Sequence, residues 1–258
     1  MDKEQKRLMD ERGYYIVKNN ELAQKTRFNI ENPRNKALSV LEQRIFLYLV
    51  SKIKPEQQYF EWEELSIPEF CKVFRINKNN HYATIKKTIS EMASRVLWLV
   101  DNENNVETIV RLIGKAKLDH MTGKIYLKLD DDMRPYLLNQ IKLKGYYQYP
   151  LIDVINFKCK YSFILYEIFC SYANYKRKIG FSIEDLKERL ECQNYNITNF
   201  KTKVIDRAIE EINRWTVFTI EVEYIKDSKQ ISDIIFNIGK KETLENIERI
   251  IDLLLLIV

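Results

Sequence analysis

Two copies of one sequence pattern lie in this chain, about 116 to 120 residues apart. Leu47-Tyr48 in the first copy corresponds to Leu165-Tyr166 in the second, and SIPEF at 66–70 corresponds to SIEDL at 182–186. Three apolar positions then follow at identical spacing: Ile85, Ile89 and Met92 in the first copy, and Ile205, Ile209 and Ile212 in the second. Such a repeat predicts two related domains.

Each copy has the same predicted order of secondary structure. An apolar helix precedes a short helix that begins after Ser66 or Ser182, whose hydroxyls can accept hydrogen bonds from the first backbone N–H groups of that helix. A third helix and β-rich sequence follow, with 95–100 and 125–129 as the strands of the first copy and 216–225 and 231–238 as those of the second. Three helices and a β-hairpin make a winged helix, so we predict an α+β fold of two tandem winged-helix domains.

We place the first winged-helix domain at residues 28–150 and the second at 151–240. Residues 1–27 are predicted to form a polar N-terminal arm, either loosely ordered or docking on DNA, and 241–258 a helical tail. The apolar run that ends the tail is too short to cross a bilayer, and no apolar signal region follows Met1. We therefore expect a cytoplasmic protein without a membrane partner.

The number and spacing of the glycines, cysteines and histidines do not fit a phosphate-binding loop or a metal centre. The six glycines are too dispersed for a phosphate-binding loop, and the four cysteines and two histidines lack the spacing of a metal site. Asp130, Asp131 and Asp132 precede Met133-Arg134-Pro135, which indicates a helix cap rather than a Mg²⁺ site. We expect no cofactor, no metal and no enzymatic activity.

The net charge of +5 allows a polyanionic partner but does not by itself identify one. The arrangement of the charges is more informative in the helix predicted from Thr198 to Arg214. At 100° per residue one face of this helix is apolar and the opposite face is basic, which suits the helix of a helix-turn-helix motif that enters the major groove. The apolar face comprises Val204, Ile205, Ala208, Ile209 and Ile212, and the basic face Lys203, Arg207 and Arg214.

Polar residues at the start of this helix are the other candidates for contacts with bases or phosphates. They are Asn196, Thr198, Asn199, Lys201 and Thr202. Glu210 and Glu211 are predicted on the exposed face, so we expect DNA contacts in the first two turns. The alternative is a charged, solvated helix face with no ligand.

Further lysines are weaker candidates for phosphate contacts. Lys158 and Lys160 precede the long helix of the second copy, and Lys226 and Lys229 flank the tip of its hairpin. In the first copy the helix at about 81–96 carries Lys86 and Lys87 and is predicted to expose Arg95. The alternative for that helix is packing against the core or against a second subunit.

Several longer blocks stand in a fixed order along the chain. They are YYIVKNNELAQKTR (14–27), LSVLEQRIFLYLVSKIKP (38–55), SIPEFCKVF (66–74), RPYLL (134–138), KYSFILYEIFCSY (160–172) and NFKTKVIDRAIEEIN (199–213). In this order they resemble the iteron-binding plasmid replication initiators, a family of initiator replication proteins.

The resemblance implies two winged-helix domains that bind directly repeated double-stranded DNA at a plasmid origin. It also implies recruitment of host replication proteins, and a monomer that initiates replication beside a dimer that represses its own promoter. The strongest major-groove contacts are implied for the C-terminal domain.

The chain departs from the family pattern in two places. Ile164 stands where a basic residue is frequent, and Asp227-Ser228-Lys229 stands where Gly-Arg-Lys is frequent. These departures weaken the expectation that the hairpin tip contacts phosphate. Two other functions stay open: a winged-helix transcriptional regulator without a role in replication, and a replication enzyme that nicks DNA.

Overall fold

A computed structural model of the chain describes residues 15–54, 56–76, 81–119, 121–143, 145–228 and 230–242. The chain divides into two compact units, Met1–Leu151 and Ile152–Val258. In the part of the chain that the structure describes, no helix is long and apolar enough to cross a membrane.

The first unit combines helices with antiparallel strands. Its helices are α1 (Asn20–Lys25), α2 (Val40–Ser51), α3 (Ile67–Val73), α4 (His81–Met92), α5 (Arg134–Leu137) and α6 (Gln140–Leu143). Its strands are β1 (Tyr15–Asn19), β2 (Thr26–Arg27), β3 (Glu63–Glu64), β4 (Val96–Asp101), β5 (Val106–Arg111), β6 (Ile113–Asp119), β7 (Lys124–Leu129) and β8 (Tyr146–Pro150).

Helix α2 begins with a capping box, in which the Ser39 hydroxyl accepts from the backbone N–H of Glu42 and the Glu42 carboxylate accepts from the backbone N–H of Ser39. Its apolar side chains lie in the core, where the ring of Tyr48 packs edge-on against that of Phe70 at 5.7 Å between centroids. The burial of these apolar side chains therefore stabilises most of α2.

Residues 15–27, predicted as part of a polar arm, are folded into the first unit. Strand β1 pairs antiparallel with β8 from Tyr15 opposite Pro150 to Asn19 opposite Tyr146. Ile16 of β1 is fully buried, and the Lys18 ammonium lies 4.7 Å from the centre of the Phe46 ring. The sequence indicates a possible short strand at Tyr14-Tyr15-Ile16-Val17 within the arm, and β1 covers its described residues, but the pairing with β8 depends on residues far along the chain. The rest of the arm, 1–14, and the tail from 243 onward lie outside the described residues.

The strands of the first unit pair differently from the predicted hairpin of 95–100 with 125–129. Strand β4 pairs with β5 and β2, whereas β7 pairs with β6 and β3. Strands β5 and β6 were not predicted. Most of their side chains are exposed, so their sequences lack the alternation of apolar and polar residues that marks a half-buried strand.

The second unit repeats the order of helix, helix, helix and hairpin. It contains α7 (Lys160–Tyr172), β9 (Lys178–Ser182), α8 (Ile183–Arg189), a helical turn α9 (Ile197–Asn199), a π-helical segment (Phe200–Asp206), α10 (Arg207–Trp215), β10 (Phe218–Asp227) and β11 (Gln230–Lys240). The strands form one antiparallel sheet in the order β10-β11-β9. We call the continuous helical stretch 197–215 the surface helix.

The predicted helix caps are present in both units. The hydroxyls of Ser66 and Ser182 accept from the backbone N–H groups of Glu69 and Asp185 at 3.5 and 3.2 Å. The carboxylate of Asp130 accepts from the backbone N–H of Asp132 at 3.0 Å, so this acidic cluster caps a helical turn as its position before Pro135 predicts.

Glu211 occupies a different place from the exposed face predicted for it. Its carboxylate accepts from the backbone N–H groups of Lys158 and Cys159 at 3.2 Å and from the Ser162 hydroxyl at 2.6 Å. These groups belong to the start of α7, whose own N-cap residue, Cys159, makes no side-chain capping bond. A helical wheel could not show this, because the partner of Glu211 is about fifty residues away in sequence.

All four cysteines are buried and in the reduced form. Burial raises the pKa of Cys192 to about 11 and that of Cys170 well above its ordinary value, so both are protonated near neutral pH. We expect an aromatic disulfide reagent at pH 8 to modify none of the four thiols rapidly in the native protein and all four after denaturation. Rapid titration of even one thiol in the native state would contradict this burial.

Candidate nucleic-acid interface

The surface helix has one buried and one exposed side, as predicted. Its apolar residues are buried together with Phe200, which was not among the apolar positions predicted for this side. The exposed side carries Lys201, Lys203, Arg207 and Arg214. The apolar side anchors the helix in the unit, so its basic side chains extend into solvent on the opposite side.

Asn196 is the N-cap residue of the surface helix. The Asn196 side-chain oxygen accepts from the backbone N–H of Asn199 at 2.8 Å, and the Thr202 hydroxyl donates to the carbonyl of Thr198 at 3.0 Å. Asn196, Thr198 and Thr202 are exposed, and Asn199 is half-buried. The side-chain N–H₂ of Asn196 and the hydroxyl oxygen of Thr202 stay available to a ligand at this end.

Lys203 and Arg207 are the least committed cations of the surface helix. Among the described residues neither side chain has an ion pair within 4.0 Å or a hydrogen bond. Arg214, near the end of the helix, stacks its guanidinium 4.7 Å from the centre of the Trp215 ring. Lys203 and Arg207 can therefore meet an anionic partner without losing an internal contact.

The π-helical segment alters the angular positions that a regular helix predicts. In a π-helix the backbone hydrogen bonds run from i to i+5, so residues five apart come close together. Lys201 and Asp206 are such a pair, and both contact Tyr224 of β10. The Lys201 ammonium lies 4.7 Å from the centre of the Tyr224 ring, and the Tyr224 hydroxyl donates to the Asp206 carboxylate at 3.3 Å.

Lys158 and Lys160, predicted as phosphate contacts before α7, differ in their surroundings. Lys158 is exposed. The Lys160 ammonium forms an ion pair with Glu191 at 2.6 Å, and the Glu191 side chain is only 12% exposed. Because a half-buried carboxylate already neutralises Lys160, Lys158 is the better placed of the two for an external anion.

The hairpin of the second unit ends in a two-residue turn between the paired residues Asp227 and Gln230. Ser228 has a φ of +57°, a left-handed conformation that tight hairpin turns require. Lys226 is exposed beside a register irregularity of β10, and Lys229 lies outside the described residues.

The corresponding helix of the first unit, α4, is shorter than predicted and ends at Met92. Lys86 is half-buried, whereas Lys87 is exposed and 3.9 Å from Glu91. Arg95, predicted to be exposed on this helix, lies beyond it and forms an ion pair at 3.2 Å with Glu42, whose side chain is 2% exposed. The prediction that Arg95 is exposed was wrong, because its guanidinium pairs with a buried carboxylate of α2.

The first unit also has a basic surface that was not predicted from the sequence. Lys115 and Lys117 of β6 point to the outer face of their sheet with Lys128 of β7, and Lys115 and Lys128 are directly opposite each other. Like charges at such cross-strand positions repel each other. The alternation of lysine with small residues in β6 was the available sequence signal.

Two family models match the sequence of this chain. One, described as "Initiator Replication protein, WH1", matches residues 15–170, and the other, described as "Initiator Rep protein, WH2", matches residues 182–238. The two domain descriptions confirm the prediction of two tandem winged-helix domains. No curated protein matches the chain by sequence.

Two solved structures share the fold. The Pi initiator protein in complex with iteron DNA is 18% identical, with a TM-score of 0.67 over 89% of this chain and 98% of that chain. Domains 2 and 3 of RctB are 12% identical, with a TM-score of 0.51 over 78% of this chain and 80% of that chain. Within the described ranges, the structure brings no three His, Cys, Asp or Glu residues together as a metal site would require.

Proposed function

The chain belongs to the initiator replication protein family, and from this membership we propose that it is a plasmid replication initiator that binds directly repeated origin DNA. The observation that carries this proposal is the surface helix, which is anchored by an apolar side and presents Lys201, Lys203 and Arg207 on the other. A winged helix with such a surface fits the major groove, where lysine and arginine bind guanine or the flanking phosphates. The Pi initiator, which has the same fold, was solved with iteron DNA.

The proposed initiator acts in the cytoplasm by binding rather than by catalysis. It exists as a monomer that occupies the repeats and recruits host replication proteins, in equilibrium with a homodimer that represses its own promoter. The family resemblance supports each of these roles. A nicking enzyme differs in its product, because it leaves a covalent protein–DNA adduct when supercoiled origin DNA is incubated with Mg²⁺.

A footprint on the DNA that flanks the gene tests the proposal most directly. We expect the purified full chain to protect tandem direct repeats, each for about one helical turn or more. Protection of a lone palindrome over a promoter would favour a transcriptional regulator instead. The absence of any sequence-dependent protection would contradict both functions.

Salt dependence gives a second expected result. The affinity for one repeat should fall as salt rises, with a log–log slope of about −0.9 for each phosphate that a lysine or arginine neutralises. Equilibrium binding measured from about 50 to 200 mM salt determines the slope. A slope near zero would mean that the basic side of the surface helix does not meet the DNA backbone.

A further inference from the structure

We propose that Lys201, Tyr224 and Asp206 act as one unit that reads a single G·C base pair in the major groove. Tyr224 is the positioning residue, Lys201 binds the guanine and Asp206 accepts from the cytosine. The inference rests on the proposed function and extends it from DNA binding in general to the recognition of one base pair.

The geometry begins with Tyr224. On β10 the side chains of Phe218 and Ile220 are buried, and Val222 and Tyr224 continue this alternation towards the hairpin tip. Tyr224 is half-buried, and its side chain lies against the surface helix. There the ring lies beneath the Lys201 ammonium at 4.7 Å and its hydroxyl holds Asp206 at 3.3 Å.

Tyr224 restricts both charged side chains without neutralising either. A lysine over an aromatic face keeps its charge and its three donors, and a carboxylate that accepts one hydrogen bond retains further lone pairs. Burial, together with the nearby Asp206 carboxylate, raises the pKa of Tyr224, so its hydroxyl remains a donor. Among the described residues Asp206 has no ion pair within 4.0 Å.

Asp206 is an exposed carboxylate between Lys203 and Arg207, whereas Glu210, the other exposed carboxylate of the surface helix, lies about one turn further from its N-terminus. Asp206 repels phosphate, and it gains a hydrogen bond in the major groove only where a base offers a donor. The N4 amino group of cytosine is such a donor, and the O6 and N7 acceptors of its paired guanine lie beside it. A cation and a carboxylate that contact the same tyrosine match this edge of a G·C pair.

The π-helical segment is what lets both Lys201 and Asp206 contact Tyr224. In a regular α-helix residues 201 and 206 would be about 140° apart around the axis. The i to i+5 spacing instead puts both within reach of one tyrosine. The departure from regular helix thus coincides with the residues that the proposal assigns to base recognition.

Affinities of the full chain for DNA sites with every single base-pair substitution test the proposal. In the parent protein we expect one G·C pair whose replacement weakens binding about a hundredfold, roughly tenfold for each of the two contacts. In Asp206→Ala this penalty should shrink about tenfold, while the penalties at all other positions stay unchanged. Tyr224→Phe, which keeps the ring and loses the hydroxyl, should reduce the same penalty by a smaller factor.

Glu210→Ala is the matched control, because it removes another exposed carboxylate from the same helix outside the proposed unit. It should raise affinity for all sites alike and leave every base preference in place. The proposal is overturned if Asp206→Ala keeps the full set of parental penalties, or if the affected position is an A·T pair. A parent protein without any base preference would instead overturn the proposed function itself.

Discussion

Replacing Lys201, Lys203 and Arg207 together by alanine should lower the affinity for a direct repeat by about a thousandfold, roughly tenfold for each side chain. All three are exposed on the surface helix, and neither Lys203 nor Arg207 has an internal partner among the described residues. Their loss removes charge from the DNA surface without removing an ion pair from the fold. The salt slope should also become shallower by about 0.9 for each lost phosphate contact.

Gel-shift or anisotropy titrations of the triple variant measure this loss. The control is a second triple variant, Lys176→Ala, Arg177→Ala and Lys240→Ala, which removes the same charge from exposed positions outside the surface helix. The control should bind within a few fold of the parent. Equal weakening by both variants would mean that net charge alone, and not the surface helix, accounts for binding.

Removing the carboxylate of Glu211 should lower the free energy of unfolding by about 2 to 4 kcal/mol. In Glu211→Ala the backbone N–H groups of Lys158 and Cys159 lose their acceptor, and so does the Ser162 hydroxyl. These groups begin α7, which carries much of the core of the second unit. The substitution also removes a negative charge from the positive end of that helix.

Urea unfolding followed by circular dichroism measures the change in stability of Glu211→Ala. Glu210→Ala is again the comparison, because this neighbouring carboxylate is exposed and should change stability by less than about 0.5 kcal/mol. Glu211→Gln should lie between Glu211→Ala and the parent, since an amide oxygen accepts fewer and weaker bonds than a carboxylate. If Glu211→Ala were as stable as Glu210→Ala, the capping role of Glu211 would be refuted.

The Arg95 and Glu211 expectations failed for the same physical reason. Both side chains are charged and belong to helices or helix ends with a polar face, so the local pattern predicts exposure. In the structure each lies at a tertiary contact, Arg95 with the buried Glu42 and Glu211 with the start of α7. A charge that enters the interior does so for a specific partner, and the position of that partner depends on the fold.

The pairing of strands in the first unit could not be obtained from the repeat. Strands β4 and β7 were recognised as β-rich sequence, but β5 and β6 lie between them with most side chains exposed. Strand pairing depends on which backbones are adjacent in space, and an exposed strand leaves little apolar pattern to indicate it.

The sequence by itself determined the two winged-helix domains, the serine caps and the apolar side of the surface helix, because each follows from periodicity or from contacts within a few residues. Only the tertiary structure decided which charges are available. Glu211 accepts hydrogen bonds from the start of α7, and Lys160 forms an ion pair with Glu191. Lys201 contacts the ring of Tyr224, and Asp206 contacts its hydroxyl. The partner of a side chain depends on segments that are distant in sequence and meet only when the chain packs its core.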